Sequence, residues 1–263
     1  MVRTADFSMS TQNIYDQEPF FTAYSQLERS IHGLEGAPEW PSLRALLPEL
    51  SGKRVLDLGC GYGWFCRFAN DVGATHVLGL DVSHKMLARA LDLTREELRG
   101  GRDERDDRRR IEYRQADLED VELPEDAFDV AYSSLAFHYL TSWPALVARV
   151  HRALTKGGRL VFSVEHPIVT ASHDPVWIDR ESGMRVWPVD HFGDEGARST
   201  NWLVQGVLKQ HRTTGTYLNT LIAAGFTITH VEDWMPRPEQ VAARPDWAGE
   251  RDRPLFMLVA ADR

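Results

Sequence analysis

"VLDLGCGYGWFC" (residues 55–66) sets three glycines and one acid between a short apolar run and a helical one. Arg54 to Leu58 has the length and aliphatic character of a buried strand, and Gly63 to Val72 carries apolar residues at helical spacing. A glycine-rich turn from strand to helix brings backbone close to a nucleotide. The dinucleotide fingerprint, however, is G-x-G-x-x-G, whereas Gly59, Gly61 and Gly63 are spaced G-x-G-x-G and Trp64 stands where the third glycine belongs. That glycine normally lets helix and strand approach closely, which a tryptophan does not allow.

Asp57 refines the reading. A carboxylate at the end of the strand repels a pyrophosphate and attracts an ammonium or a sulfonium. The cofactor that joins both cations to an adenosine is S-adenosylmethionine. Asp81, in "GLDVSHKML" (79–87), ends the next strand and is placed to accept both ribose hydroxyls, and Asp117 follows the third strand where it can accept from an adenine amino group. Asp57 or Asp117 taken singly can also be a cap or a turn acid. Three acids at three consecutive strand ends are harder to explain as turns.

Outward from the loop, His76 to Leu80, Ile111 to Gln115, Phe128 to Tyr132 and Arg159 to Val164 read as strands. Helices from Ser83 (a good N-cap) to Leu98 and from Pro144 to Leu154 separate them. This alternation predicts an α/β fold, a doubly wound, mostly parallel seven-stranded sheet covered on both faces. Phe226 to Val231 and Leu255 to Ala260 lack a convincing helix between them, so an antiparallel last strand is expected. Upstream, Asp16 to Ile31 and Trp40 to Leu47 form an N-terminal helical cap behind a polar, frayed stretch at 1–13. The charged run at 99–110 reads as a solvated loop. We therefore expect one domain over 1–263: a cap (1–50), a cofactor core (51–165), a substrate-side insertion (166–212), and a C-terminal helix with the strand pair (213–263).

"VLDLGCGYG", "GLDVSHKML", "QADLEDVELPEDAFDVAYSSLAFHYL" (115–140) and "LTKGGRLVFSVEHP" (154–167) resemble the successive motifs of class I S-adenosylmethionine-dependent methyltransferases. "YSQLERS", "GAPEWPSLRALLP" and "SVEHPI" resemble a bacterial subgroup acting on small molecules. The resemblance implies that Gly59, Gly61 and Gly63 lie against the methionine part, that Asp81 holds the ribose, and that Asp117 with Leu118 holds the adenine. Val82 and Met86 would flank the rings, and Ser133 or Ser134 would offer a main-chain carbonyl. Tyr15, Tyr24 and Arg29 lie on the N-terminal helix, which in this family closes over the cofactor. Arg29 either pairs with the methionine carboxylate or is a helix-face cation. The chain reads "YSSL" after the fourth strand, unlike the Asn/Asp-Pro-Pro-Tyr of methyltransferases acting on nucleic-acid bases.

Composition narrows the partners. Thirty-nine acidic against 30 basic side chains give a net charge of -9, which disfavours nucleic acid. No apolar stretch is long enough to span a bilayer, and no signal segment is visible. The two cysteines, Cys60 and Cys66, fit a reducing compartment, so a soluble cytoplasmic protein is expected; oligomeric state is not legible.

The insertion holds three of the eight tryptophans, Trp177, Trp187 and Trp202, and four of the ten histidines. With His211, Arg212 and Tyr15 these are the candidate substrate residues, the alternative being a satellite core under the loop. His166, His173, Asp174, Asp190 and His191 match no metal site, so no metal is expected. For catalysis the candidates are His138, as a base or as a core histidine, and then His166. The resulting function is methyl transfer to a small aromatic or heterocyclic metabolite at nitrogen, oxygen or carbon. A nicotinamide-dependent oxidoreductase and a non-catalytic cofactor-binding module are the alternatives.

Overall fold

The computed structural model describes residues 11–99 and 111–263; residues 1–10 and the charged run beyond Arg99 lie outside that description. The chain alternates through β1 (Arg54–Leu58), β2 (His76–Asp81), β3 (Ile111–Gln115), β4 (Phe128–Ser134) and β5 (Leu154–Glu165). Two hairpins follow, β6 (Ile178–Asp179) with β7 (Arg185–Val186) and β8 (Gly196–Trp202) with β9 (Val204–His211). Then come β10 (Thr227–Trp234) and β11 (Phe256–Asp262).

Among the described residues the main sheet has seven strands in the order β10-β11-β5-β4-β1-β2-β3. Its pairs are parallel except those of β11, which runs antiparallel to both β5 and β10. The reversed strand expected from the sequence is thus present, one place in from the edge. β1 is an interior strand, and its Val55, Leu56 and Leu58 have no exposed surface, as a strand covered on both faces requires. The strand order reverses between β1 and β4, and a crevice opens at the carboxyl ends at such a switch point.

The helices are α1 (Glu18–Tyr24), α2 (Glu28–Ile31), α3 (Trp40–Leu46), α4 (Trp64–Asp71), α5 (His84–Arg99), α6 (Trp143–Ala153), α7 (Pro167–Thr170), α8 (Thr214–Ala223) and α9 (Pro238–Ala243). Trp143 and Leu146 of α6 with Tyr217 and Leu221 of α8 cover one face of the sheet. Trp40 and Leu43 of α3, Phe65 and Cys66 of α4, and Leu87 of α5 cover the other. No helix among the described residues is long and apolar enough to cross a membrane.

Four features depart from the sequence reading. The helix expected from Asp16 to Ile31 is broken into a 3-10 turn (Ile14–Asp16), α1 and α2. Pro19 in the first turn of α1 starts that helix afresh, since proline donates no main-chain hydrogen bond. Beyond it, Ser25 and Ser30 hydroxyls take the carbonyls of Thr22 and Tyr24, a competition that ends short helices. Between β10 and β11, where no helix was read, Pro238 starts α9 and Pro245 starts a 3-10 turn. The insertion contains two hairpins and α7 rather than plain loop.

The fourth departure concerns residues 11–13, which are pinned and not frayed. Thr11 donates from N and Oγ1 to Asp117 at 3.1 and 2.5 Å. Gln12 donates to the Gly206 carbonyl at 2.9 Å and accepts from Leu208 N at 2.8 Å. Asp16 then accepts from Ser83 Oγ and Lys85 N at the head of α5, where a carboxylate suits the positive end of the helix. The Ser83 cap itself forms as read, accepting from Met86 N at 3.1 Å. Residues 11–16 therefore make a strap joining β3, α5 and the β8–β9 hairpin.

Candidate active site

The glycine loop is held to β2. Gly59 N and Cys60 N both donate to the Leu80 carbonyl, at 2.8 and 2.9 Å. Gly59, at φ +79°, packs so closely that a Cβ there would lie 2.4 Å from Cβ of Ala136. Gly63 faces away from the crevice, because its Cβ would meet the Tyr113 hydroxyl of β3 at 2.2 Å. Trp64 turns outward onto Gly33, leaving no room there for a Cβ (2.6 Å from the indole). The close approach that a third loop glycine usually permits comes instead from Gly79 on β2, where a Cβ would sit 2.8 Å from Cys66 Sγ and 3.0 Å from Cys60 Sγ.

The three acids are held by different partners. Asp57 is buried, accepts from Cys66 Sγ at 3.2 Å, and is pushed up to about 7 by burial, the Cys66 bond opposing and the nearby Asp81 adding to the rise. Asp81 is raised to about 6 by burial, partly offset by main-chain donors. Its two oxygens accept from Gly61 N at 2.8 Å and Ser83 N at 2.9 Å, which fixes the carboxylate at the crevice rim with lone pairs to spare. Asp117 is engaged by Thr11 and by Glu119 N at 3.0 Å.

These groups open into a cavity of about 370 Å³. Gly59, Gly61, Asp81, Val82, Met86, Asp117, Leu118 and Ser134 line it, together with Tyr24 and Arg29. A smaller space of about 90 Å³ beneath the loop is lined by Asp57, Arg29, Tyr24 and Ser134. Space beside Gly61 where a Cβ would find nothing within 4 Å, an anchored carboxylate at Asp81 and the Val82 and Met86 side chains fit an adenosine with a cationic tail. Arg29 is bound to the fully buried Glu39 at 3.0 and 3.2 Å while still lining both spaces. Ser133 is spent inside the sheet, its hydroxyl donating to the Leu58 carbonyl at 2.7 Å, and only Ser134 reaches the cavity.

The same cavity is also lined by Tyr15, His138, Tyr139, Glu165 and Trp202. His138 is 2% exposed, in a 3-10 turn (Phe137–Tyr139) after β4. Its Nδ1 accepts from Glu165 N at 3.3 Å. Burial, joined by the Lys209, Arg212 and Arg29 charges against that of Glu165, lowers the ring to about 4. Glu165 accepts from Lys209 Nζ at 2.6 Å, and Lys209 lies 5.1 Å from the Trp202 ring centre. The Tyr15 and Tyr139 hydroxyls are 3.3 Å apart.

Several expected residues are elsewhere. His166 does not line the cavity: Pro167 opens α7, and His166 Nδ1 accepts from Ile168 N at 3.1 Å while Nε2 meets Asp233 at 3.0 Å. Trp177 and Trp187 do not line the cavity: both are half-buried and pack edge to face on each other at 5.3 Å, with Arg253 3.8 Å from the Trp187 ring centre. His211 is sealed between Thr170 Oγ1 at 2.9 Å and the Phe192 carbonyl at 3.0 Å. Arg212 braces the loop behind His138 by donating to the Leu140 and Thr141 carbonyls. Of the three insertion tryptophans, Trp202 alone lines the cavity.

Thr11, Gln12, Arg244 and Trp247 also line it and were not read from the sequence, nor was Lys209. Lys209 carried a signal, since Val207, Lys209 and His211 share one buried face of β9 by alternation.

A methyltransferase domain family matches residues 56–162. The crystal structure of an S-adenosylmethionine-dependent methyltransferase from Mesorhizobium loti superposes with a TM-score of 0.79 at 52% identity, covering 88% of this chain and 100% of that one. A Haemophilus influenzae protein named only as uncharacterized is 37% identical over 257 residues, 95% of this chain and 96% of its own length. The malonyl-[acyl-carrier protein] O-methyltransferase of Pectobacterium atrosepticum is 35% identical over 121 residues, 46% of this chain and 42% of that protein. With these likenesses along its length and a crevice shaped for an adenosine and a cation, the chain belongs to the S-adenosylmethionine-dependent methyltransferases of the class I Rossmann-like fold, with S-adenosylmethionine as its cofactor.

Proposed function

We propose that the chain methylates a small planar metabolite, aromatic or heterocyclic, at nitrogen or oxygen, with carbon less favoured. The observation that carries this is the size and lining of the cavity. A cavity of about 370 Å³ is at the small end of ligand pockets, roughly 300–1,000 Å³, and it has to admit both cofactor and acceptor. Thr11 and Gln12 of the strap line it, and Gln12 is bonded to Gly206 and Leu208 of the β8–β9 hairpin. A space of this size suits a small guest beside the cofactor, and the net charge of -9 gives a nucleic acid no attraction. Ring faces from Trp202, Tyr139 and Trp247 suit a planar guest. The cap, core, hairpin and C-terminal segment all line this one space, so we read them as one functional unit. We read the enzyme as cytoplasmic from its two buried free thiols.

S-adenosylmethionine supplies an electrophilic methyl group on a sulfonium. Asp81, pinned by Gly61 and Ser83, holds hydroxyls at the rim. Tyr15, Tyr139, His138 and Glu165 present polar groups in the same cavity, and alignment of the acceptor there lowers the barrier by several kcal/mol. The test measures S-adenosylhomocysteine release with aromatic and heterocyclic metabolites against transfer RNA and protein extracts. Turnover on the macromolecules alone would overturn the proposal.

A further inference from the structure

His138 was a candidate base, but its hydrogen bonding gives it the opposite polarity. Nδ1 already accepts the main-chain N–H of Glu165 at 3.3 Å. A neutral imidazole carries one proton, and the nitrogen that accepts does not hold it, so the proton sits on Nε2. Burial keeps the ring neutral at physiological pH, with its pKa at about 4. No described residue hydrogen-bonds Nε2, and His138, although only 2% exposed, lines the cavity. The site therefore offers an N–H donor there.

Glu165 offers the complement. One oxygen accepts from Lys209, and the residue lines the same cavity beside His138. Burial alone would raise this carboxyl, but the charge and hydrogen bond of Lys209, with the charge of Arg253, outweigh it and hold it below its ordinary range. The carboxylate is ionised and its charge is cancelled by a buried lysine. An anionic acceptor would face Glu165 with Lys209 already spent. A cationic acceptor would meet Lys209 and gain no net attraction.

We propose that His138 and Glu165 together recognise a neutral –NH–C(=O)– edge on a planar heterocycle, Nε2–H donating to the carbonyl oxygen and the free Glu165 oxygen accepting the neighbouring N–H. This rests on the small-acceptor reading above and names its chemical class. His138 is then a specificity residue and not a proton acceptor.

The test titrates 2-pyridone, 2-quinolone, N-methyl-2-pyridone, phenol and benzoate into the full chain saturated with S-adenosylhomocysteine. The two lactams are expected to bind, and removing the donor in N-methyl-2-pyridone is expected to weaken binding about tenfold, the worth of one hydrogen bond. His138→Phe should lose about tenfold in lactam affinity, whereas His138→Gln, whose amide can place a donor near Nε2, should stay within about threefold. Both variants should keep wild-type affinity for S-adenosylhomocysteine, which shows that they fold. Long-range proton–nitrogen correlation spectra should place the His138 proton on Nε2. A proton on Nδ1, wild-type lactam affinity in His138→Phe, preference for benzoate or phenol, or no lactam binding would each overturn edge recognition. Turnover on a phenol or carboxylic acid would do so while leaving the small-acceptor reading intact; turnover on protein or RNA alone would remove both.

Discussion

Binding of the cofactor should release protons, and the amount follows from Asp57. Its carboxyl is pushed up to about 7 by burial, with the neighbouring Asp81 adding and the Cys66 bond opposing. In the unliganded protein at pH 7 roughly half the molecules hold that proton, rising to roughly three-quarters at pH 6.5 and falling to about a tenth at pH 8. An ammonium placed near Asp57 favours the ionised form, so binding should expel about half a proton at pH 7 and little at pH 8. The sign for stability is the reverse of the usual carboxylate. A raised native pKa means the folded state binds protons that the unfolded state has lost, so the unliganded protein loses stability as pH climbs from about 4 to 7. Calorimetry with S-adenosylhomocysteine, which retains the ammonium, in phosphate and in Tris at each pH reads the proton count directly. No release at pH 6.5 to 7 by the wild type, or equal release from Asp57→Asn, would refute the assignment of Asp57 to the cationic end.

Asp81→Ala should weaken cofactor binding ten- to a hundredfold, on the order of 1.5–3 kcal/mol for bonds to a charged acceptor; calorimetry finding the wild-type affinity contradicts its role. Gly79→Ala should cost about 1–3 kcal/mol by forcing a methyl against Cys66 and Cys60. The melting temperature should fall by roughly 3–10 °C, and an unchanged melt would show that α4 approaches β2 with room to spare. Gln12→Ala removes both bonds between strap and hairpin. Release of S-adenosylhomocysteine in stopped flow should then quicken about tenfold, whereas an unaltered rate would detach the strap from cofactor retention.

The parts of this molecule that short-range pattern controls were legible in the sequence. The run at 54–58, the turn glycines and the strand-end acids are local, and the sheet follows from their alternation. Residues that act through distant partners were not. Nothing near Thr11 announces that it will bond Asp117, and nothing near Trp177 or Trp187 announces Arg253. His166 was misplaced because a histidine before proline reads as functional when it serves as the acceptor for an orphan N–H at a helix start. Lys209 was overlooked because charge suggested solvent, although its two neighbours on the same face of β9 are buried. The polarity of His138 cannot be read from its sequence neighbours, since the group that sets it belongs to Glu165 on the adjoining strand.

The strap also has a consequence for how the protein is made. Gln12 is synthesised well before its partners Gly206 and Leu208, which lie 194 and 196 residues downstream. The strands at 54–165 can pair while the chain is still being synthesised, and loop closure over so long a separation comes late. The nascent enzyme therefore carries the crevice without its strap contacts until the β8–β9 hairpin has been made. Only then does Gln12 find its partners and take its place in the lining of the cavity.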